Sequence, residues 1–523
     1  MTEAAAAQPA AKSAGPSGPP PGNPGAPPPF GLRLATGLFG VLLAAMMAGF
    51  NNRVVALGLP DLYGHLGWDA DQASWLSSAY SAGELVAMPF ATWCAVTFSM
   101  RRFQLIMLTV VLLIALLLPT VHSLPLMIAL RAVQGLCCGS QIPLLMMGAL
   151  RFLPLSIRLH GLALYAMTAT FAPNMSLALA ASWLDRLEDW HWLYWQTVPL
   201  SLLSMALIAW GIPVMPPMLQ RLRQANWLGL LLGIAGLSLL ALGLDQAGRL
   251  DWFQSRAIRL MLFGGGVFTC AFLLSEWFHP APFMKLQLLE RRNLGLGFTL
   301  FFCMLIVMLA GTALPGMALG HLQGFRVLQM EGIGLRIALP QLVLGPLVAL
   351  LLYQRRIDAR HIFLLGLLCM AAACWLGSGL TSVWMGNEFR LAQWLQAIGQ
   401  PMAVIPLLFL ATSVVQPMEG AYVSGIVNTL RAFGTLFGSA VVSRMVTLRS
   451  DFHQEMLQDQ FSWQGSSMSL AELAAQLGAQ ASTLAIADVY LLLGTLALLL
   501  ISGVLLMQYI PAPLIPSRPP NHG

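Results

Sequence analysis

The sequence predicts an all-α integral membrane protein with about fourteen transmembrane helices. Its apolar residues fall into about fourteen long runs separated by short loops, and each run is close to the ~20 residues that cross the ~30 Å hydrocarbon core of a bilayer. Of the 523 residues, 57% are hydrophobic and only 9% are charged, and the mean hydropathy is +0.73. Soluble domains carry about 25% charged residues, and a soluble chain of this composition would expose enough apolar surface to aggregate.

The apolar runs define the predicted spans, numbered 1 to 14 along the chain: 33–59, 72–96, 103–121, 124–150, 159–182, 192–215, 226–244, 257–278, 295–319, 331–353, 361–381, 391–415, 421–445 and 486–508. Residues 1–30 are rich in Ala, Pro, Gly and Ser and cannot bury a core, so they predict a disordered tail. They also lack the basic-then-apolar pattern of a signal peptide. The proline-rich residues 511–523 predict a second loose tail.

The charges of the loops predict the orientation of the spans. Every second loop is basic: Arg101 and Arg102; Arg151 and Arg158; Arg221 and Arg223; Lys285, Arg291 and Arg292; Arg355, Arg356 and Arg360. The positive-inside rule places these loops and both termini in the cytoplasm of a multi-pass protein of the inner (cytoplasmic) membrane. The long segment 448–485 then lies on the periplasmic side, and its periodicity indicates an amphipathic helix.

The sequence shows no signature of an enzyme, a cofactor site or a metal site. The nine histidines form no HExxH motif, and no Walker-type phosphate-binding loop is present. The seven cysteines form no CxxC pair and lie in or beside apolar runs, which is typical of small core residues. The net charge of +6 collects in loops, and no Lys/Arg cluster resembles a nucleic-acid surface.

Several local motifs connect the chain to a known family. Span 4 contains Arg131-Ala-Val-Gln134-Gly135-Leu-Cys-Cys-Gly139-Ser-Gln141-Ile142-Pro143-Leu144, and a faint repeat places Gln396 before Ile405-Pro406-Leu407-Leu408 in span 12. Other matches are Gly58-Leu59-Pro60, Trp75, Trp190-His191-Trp192, Leu250-Asp251-Trp252-Phe253, Asn428-Thr-Leu-Arg431, Gly434 and Gly438. From about residue 35 to 508, the chain resembles the major facilitator superfamily, specifically the fourteen-span drug:proton antiporters of the EmrB/QacA type.

The resemblance implies two six-helix bundles, at 31–218 and 284–510, and an inserted helix pair at 219–283 that forms spans 7 and 8. It implies alternating access and export of compounds driven by proton entry. It also implies two partners besides the substrate and the bilayer, namely a periplasmic adaptor of the HlyD/EmrA type and an outer-membrane channel.

Two motifs of the family are altered in this chain. The cytoplasmic motif after span 2 normally reads Gly-x-Leu-Ala-Asp-Arg-x-Gly-Arg-Arg, but Thr92, Val96 and Ser99 replace its first Gly, its Asp and its next Gly, and only Arg101-Arg102 remains. The Gly-Pro-x-x-Gly-Gly motif of span 5 aligns with residues 176–181, which contain only small residues and leucines. These changes leave the retention of proton coupling open.

Charged residues inside the spans are the candidate coupling groups, because an ionisable side chain in hydrocarbon costs about 2.5–3.5 kcal/mol on insertion scales. Relatives carry an acid in span 1 where this chain has Asn51, followed by Arg53, while span 2 gains Glu84. We predict that Glu84 replaces the lost acid as proton or cation site, with Arg53 or Arg131 tuning its charge. The alternative is a static buried ion pair that fixes helix packing.

Other polar residues in the spans are candidates for a substrate cavity: Asn51, Asn52, Gln134, Gln141, Asn174, Arg336, Gln341, Gln400 and Arg431. The same side chains could instead join helices by hydrogen bonds. The sequence thus predicts a secondary-active transporter, most simply a proton-coupled exporter of lipophilic or anionic amphiphilic compounds. An importer or uniporter of a small organic solute and a non-transporting membrane scaffold are the alternatives.

Overall fold

The computed structural model describes residues 30–154, 156–416, 418–461 and 469–512. Every regular element in these ranges is a helix. Both predicted tails, apart from Phe30 and residues 511–512, lie outside the described residues.

The helices follow the predicted spans in order. Their bounds are Leu32–Leu57 for span 1, Ala70–Phe98 for span 2, Met100–Leu117 for span 3, Leu124–Gly139 and Gln141–Phe152 for span 4, Arg158–Ala181 for span 5, Trp192–Trp195 and Thr197–Gly211 for span 6, Trp227–Ala247 for span 7, Arg256–Phe278 for span 8, Arg292–Val307 and Ala313–Gln323 for span 9, Val327–Leu352 for span 10, Ala359–Gly377 for span 11, Arg390–Thr412 for span 12, Gly420–Phe461 for span 13 and Leu470–Leu506 for span 14.

Thirteen helical segments of the described chain are long and apolar enough to cross a membrane. Span 2 is the fourteenth long helix, with 29 residues, and differs in being more polar. Its serines and Glu84 face other helices and a cavity rather than lipid. The predicted all-α membrane fold of about fourteen helices is therefore confirmed.

The helices of spans 13 and 14 continue past the predicted span ends at 445 and 486. The segment 448–485, predicted to contain an amphipathic helix, is therefore helical up to 461 and from 470 onwards. Span 13 is a 42-residue helix and span 14 a 37-residue helix. The two helices pack together, and Asp488 accepts hydrogen bonds of 2.7 Å from Arg449 and His453 of the span 13 extension. Polar contacts along the extensions thus continue both helices beyond their apolar cores. The periplasmic placement of 448–485 stays a prediction.

Spans 2 and 4 approach each other backbone to backbone. A Cβ atom at Gly135 would lie 2.1 Å from the Tyr80 carbonyl oxygen, and one at Gly83 would lie 2.1 Å from that of Ala132. Small residues permit such close helix pairs in membranes. Because Glu84 follows Gly83 and Arg131 precedes Ala132, this contact fixes the two charged side chains relative to each other.

The inserted pair packs beside spans 2 and 13. Span 8 packs on span 7, and Leu237 and Ala241 of span 7 form one apolar cluster with Leu85 of span 2 and Phe433 of span 13. Span 7 therefore bridges one helix of each predicted bundle. The bundle boundaries themselves stay predictions.

On the predicted cytoplasmic side, an ion pair joins the start of span 9 to the start of span 13. Arg291 donates two hydrogen bonds of 2.7 Å to the Glu419 carboxylate and one of 2.8 Å to the Val414 carbonyl. The hydrogen bonds from Arg291 hold the pKa of Glu419 below its ordinary value. Glu419 therefore stays ionised at neutral pH and keeps the pair formed.

Candidate functional site

A cavity of about 380 Å³ lies between the two predicted bundles. Spans 1, 2, 4, 5, 7, 9 and 13 line it, and its charged residues are Arg53, Glu84, Asp245 and Arg431. Under the predicted orientation, these residues lie near the middle or in the outer half of their spans. A cavity of this size suits a drug-sized ligand, since such sites measure about 300–1,000 Å³.

Glu84 is the acid at the centre of the positive charges. The guanidinium groups of Arg431, Arg53 and Arg131 all act on its carboxylate electrostatically. In the described part of the chain, however, Glu84 has no ion pair within 4.0 Å and its side chain has no hydrogen-bond partner. The carboxylate is therefore attracted by several arginines without being fixed to one.

Arg131 lies behind the cavity and is 0% exposed. Its guanidinium donates to Gln134 Oε1 at 2.8 Å and to Asn52 Oδ1 at 3.0 Å, and lies 4.4 Å from the centre of the Tyr80 ring. Asn52 lines the cavity and also donates to Ser81 at 3.1 Å. Arg131 thus positions a cavity-lining amide rather than facing the cavity itself.

Arg431 links span 13 to span 5. Its guanidinium donates to both the side-chain and the backbone oxygen of Thr168, and lies 6.0 Å from the centre of the Tyr165 ring. Arg431 and Thr168 both line the cavity. Like Arg53 of span 1, Arg431 places a cationic group in the cavity wall. The predicted coupling residue Glu84 and the predicted cavity residue Arg431 therefore line the same cavity.

Another part of the predicted set forms a buried amide cluster away from the cavity. Gln400 Oε1 accepts from Asn174 at 3.3 Å and from Gln341 at 3.4 Å. These residues join spans 5, 10 and 12. Gln341 Oε1 and Gln396 Nε2 are buried without a hydrogen-bond partner. The cluster contributes to packing between the predicted bundles.

The remaining predicted residues have local partners. Arg336 donates to the Gly386 carbonyl at 2.6 Å and to Gln393 at 3.1 Å, and does not line the cavity. Gln141 donates to the Cys137 carbonyl at 3.3 Å and to Ser140 at 3.2 Å. Asn51 donates to Cys138 Sγ at 3.6 Å, and its Oδ1 is buried without a partner.

Two acids of the inserted pair were missed by sequence reasoning. Asp245 lines the cavity near the end of span 7. Glu276 of span 8 is 0% exposed and accepts from Asn226 at 2.8 Å and from the Met284 amide at 2.9 Å. Glu276 stands in an apolar run and Asp245 directly follows one. An acid in such a position is a signal for inspection, but only packing distinguishes the cavity residue from the structural one.

Ion pairs connect the two predicted bundles near the ends of spans 5 and 10. Arg326 lies 3.4 Å from Asp185 and 3.6 Å from Asp61, and Arg186 lies 2.7 Å from Glu331. Contacts of this kind can break and reform as one bundle moves against the other. Exposed pairs contribute only about 0–1 kcal/mol each, so their rupture is inexpensive.

Among the described residues, no group of three His, Cys, Asp or Glu side chains is arranged to hold a metal ion. The sequence profile of the Major Facilitator Superfamily matches residues 41–439. The chain belongs to this superfamily. The prediction of the family from the span 4 motif is therefore confirmed.

Known members resemble this major facilitator protein along most of its length. The multidrug export protein EmrB of Escherichia coli (strain K12) is 23% identical over 431 residues, which cover 82% of this chain and 83% of EmrB. The fatty acid resistance protein FarB of Neisseria gonorrhoeae is 25% identical over 459 residues, 87% of this chain and 88% of FarB. The human organic anion transporter MFSD10 (TETRAN) shares the fold, with a TM-score of 0.53 at 16% identity over 89% of this chain and 99% of that protein.

Proposed function

We propose that the protein is a secondary-active exporter that moves lipophilic compounds by alternating access, and that proton entry is coupled to the export of the cationic ones. The observation that carries the proposal is the position of Glu84, an acid with no fixed partner in a cavity that also contains Arg53 and Arg431. The names of the relatives, a multidrug export protein and a fatty acid resistance protein, support export of lipophilic compounds.

The chemistry of Glu84 gives the coupling for cationic compounds. When Glu84 is ionised, its carboxylate attracts a cationic substrate and also the nearby arginines. A proton on Glu84 removes its attraction for both. Proton and cationic substrate therefore exclude each other at this residue, which is the condition for exchanging one for the other across the membrane.

For an anionic compound, the same charges couple proton binding and substrate binding with the opposite sign. An ionised Glu84 competes with a substrate carboxylate for Arg53 and Arg431, and protonation of Glu84 frees them. Proton and anion then favour each other's binding, which is the condition for movement in the same direction. This sign supports uptake of an organic anion as the second candidate function.

The proposal is tested by a susceptibility screen of a strain that lacks the gene, with a panel of lipophilic cations, neutral drugs and fatty acids. We expect increased sensitivity to at least one class, restored by the wild-type gene and not by Glu84→Gln. Glu290→Gln, which changes an exposed acid in the loop before span 9, is the matched control and should restore resistance. No change in sensitivity to any compound would contradict export.

We further propose that the protein lies in the inner membrane with both termini in the cytoplasm, and that it works with a HlyD/EmrA-type adaptor and an outer-membrane channel. At 1.5 Å per residue, the helices of spans 13 and 14 are about 63 Å and about 55 Å long. Since the hydrocarbon core is only ~30 Å thick, they extend well beyond it. Under the predicted orientation the extensions reach into the periplasm, which supports a contact with a periplasmic adaptor.

A further inference from the structure

Asp245 is a cavity carboxylate without a basic partner. It lies on span 7 and lines the cavity together with Leu244 and Gly248. Its one side-chain hydrogen bond in the described chain comes from Ser78 Oγ of span 2. Within the same described residues it has no ion pair within 4.0 Å, and Arg249, which is close in sequence, lies 3.5 Å from Asp71 instead.

The surroundings of Asp245 differ from those of Glu84. Three arginines act on Glu84, whereas no basic group contributes comparably at Asp245, where the Ser78 hydroxyl is the polar contact. The cavity wall therefore has two regions of opposite character. One carries Arg53 and Arg431 around Glu84, and the other carries the carboxylate of Asp245.

Docking of the inserted pair does not by itself require the carboxylate. Asp245 accepts one hydrogen bond from Ser78 of span 2, and the neighbouring Gln246 supplies further contacts with the same helix. Gln246 is 1% exposed and donates to Ser78 at 2.6 Å and to Ser74 at 3.2 Å. Arg249 in turn donates to Gln246 Oε1 at 2.6 Å. Asp245, by contrast, is exposed toward the cavity.

An acidic residue of a membrane helix that faces a cavity rather than lipid is the kind of residue that marks a substrate or ion pathway. We propose that Asp245 is a specificity-determining residue that binds the positive charge of cationic amphiphilic substrates. The inference rests on the proposed function and extends it, because it assigns cation recognition to the inserted helix pair. Organic anions are expected to bind the arginine side of the cavity, independently of Asp245.

The test is equilibrium binding of two radiolabelled probes to the purified full-length protein at constant pH, without any gradient. The probes are tetraphenylphosphonium, a lipophilic cation, and decanoate, a lipophilic carboxylate. We expect Asp245→Asn to weaken tetraphenylphosphonium binding about tenfold or more, the effect of losing a charged contact. Decanoate binding should change by less than about twofold. Retained decanoate binding also shows that the variant is folded.

Asp251→Asn is the matched control, because Asp251 lies in the loop after span 7 and its positive φ of 54° is tolerated by asparagine. It should bind both probes like the wild type, and Asp245→Glu should retain most tetraphenylphosphonium binding. Equal weakening of both probes, no weakening, or a wild-type protein that binds decanoate but not tetraphenylphosphonium would overturn the proposal. The last result would leave the proposed transport function standing.

Discussion

Span 1 has an asparagine where the family motif has an acid, whereas span 2 has an acid that lines the cavity. Asn51, which replaces the family's acid, is buried against Cys138, and its neighbour Asn52 is the residue that lines the cavity. Glu84 on span 2 supplies the carboxylate instead. The sequence placed Asn51, Asn52 and Glu84 inside apolar spans, but it could not predict which of the two adjacent asparagines lines the cavity.

Ser99 lies at the one-residue turn between spans 2 and 3, where its φ of 76° lies in the region that favours glycine. The family motif places glycine at this position. We predict that Ser99→Gly stabilises the protein by about 1 kcal/mol, because it removes the cost of positive φ. Only a weak hydrogen bond is lost, from the Met215 amide at 3.4 Å.

Thermal unfolding of the detergent-solubilised protein measures this effect. Ser99→Val is the comparison, because a β-branched side chain is less tolerant of positive φ. Relative to the wild type, we expect a higher melting temperature for Ser99→Gly and a lower one for Ser99→Val. A lower melting temperature for Ser99→Gly would show that the serine hydroxyl matters more than the backbone conformation.

At the scale of helices, the contact of spans 2 and 4 determines the site geometry. We predict that Gly135→Ala destabilises the protein by about 1–3 kcal/mol, the usual cost of overpacking. Its Cβ would lie 2.1 Å from the Tyr80 carbonyl oxygen, so the helices would have to separate. Arg131 lies one turn away on span 4 and would shift relative to Glu84.

The measurement is again thermal unfolding, together with substrate binding. Gly266→Ala in span 8 makes the same change where nothing lies within 4 Å of the added Cβ, and it should not lower the melting temperature. Equal stability of the two variants would argue against a tight contact between spans 2 and 4.

Hydropathy located the helices well but located some of their ends poorly. It gave span 1 as 33–59 against the observed Leu32–Leu57, since lipid exposure imposes an apolar composition on that helix. It did not show how far the helices of spans 13 and 14 continue past their apolar cores, where polar contacts such as that of Arg449 with Asp488 hold them. Hydropathy records contact with lipid and carries no information on pairing between distant polar residues.

For the whole molecule, the inserted pair contributes to the wall of the candidate cavity. Span 7 contacts span 2 and span 13 and places Asp245 in the cavity wall. Near the ends of spans 5 and 10, the pairs of Arg326 with Asp185 and of Arg186 with Glu331 connect the predicted bundles. A movement of one bundle against the other would change both regions together.

The candidate site was predicted in part. The sequence could identify Glu84, Arg53, Arg431 and Asn52, because each is a polar residue in an apolar span. All four line one cavity. Gln341 and Arg336 lie elsewhere with local partners, and Asp245 was missed near the end of its span. Sequence reveals which polar side chains would be costly in lipid. Tertiary packing decides whether a cavity, a neighbouring helix or water offsets that cost.

We propose that Glu84 couples proton movement to substrate export. The most direct test reconstitutes the wild type, Glu84→Gln and Glu290→Gln in liposomes and follows the compound with the largest shift in the susceptibility screen. Under an imposed pH gradient, we expect the wild type and Glu290→Gln to move it against the proton flow. Glu84→Gln should lose the response to the gradient while retaining exchange without one. Gradient-driven transport by Glu84→Gln at the wild-type rate, with equal protein in the liposomes, would contradict the account.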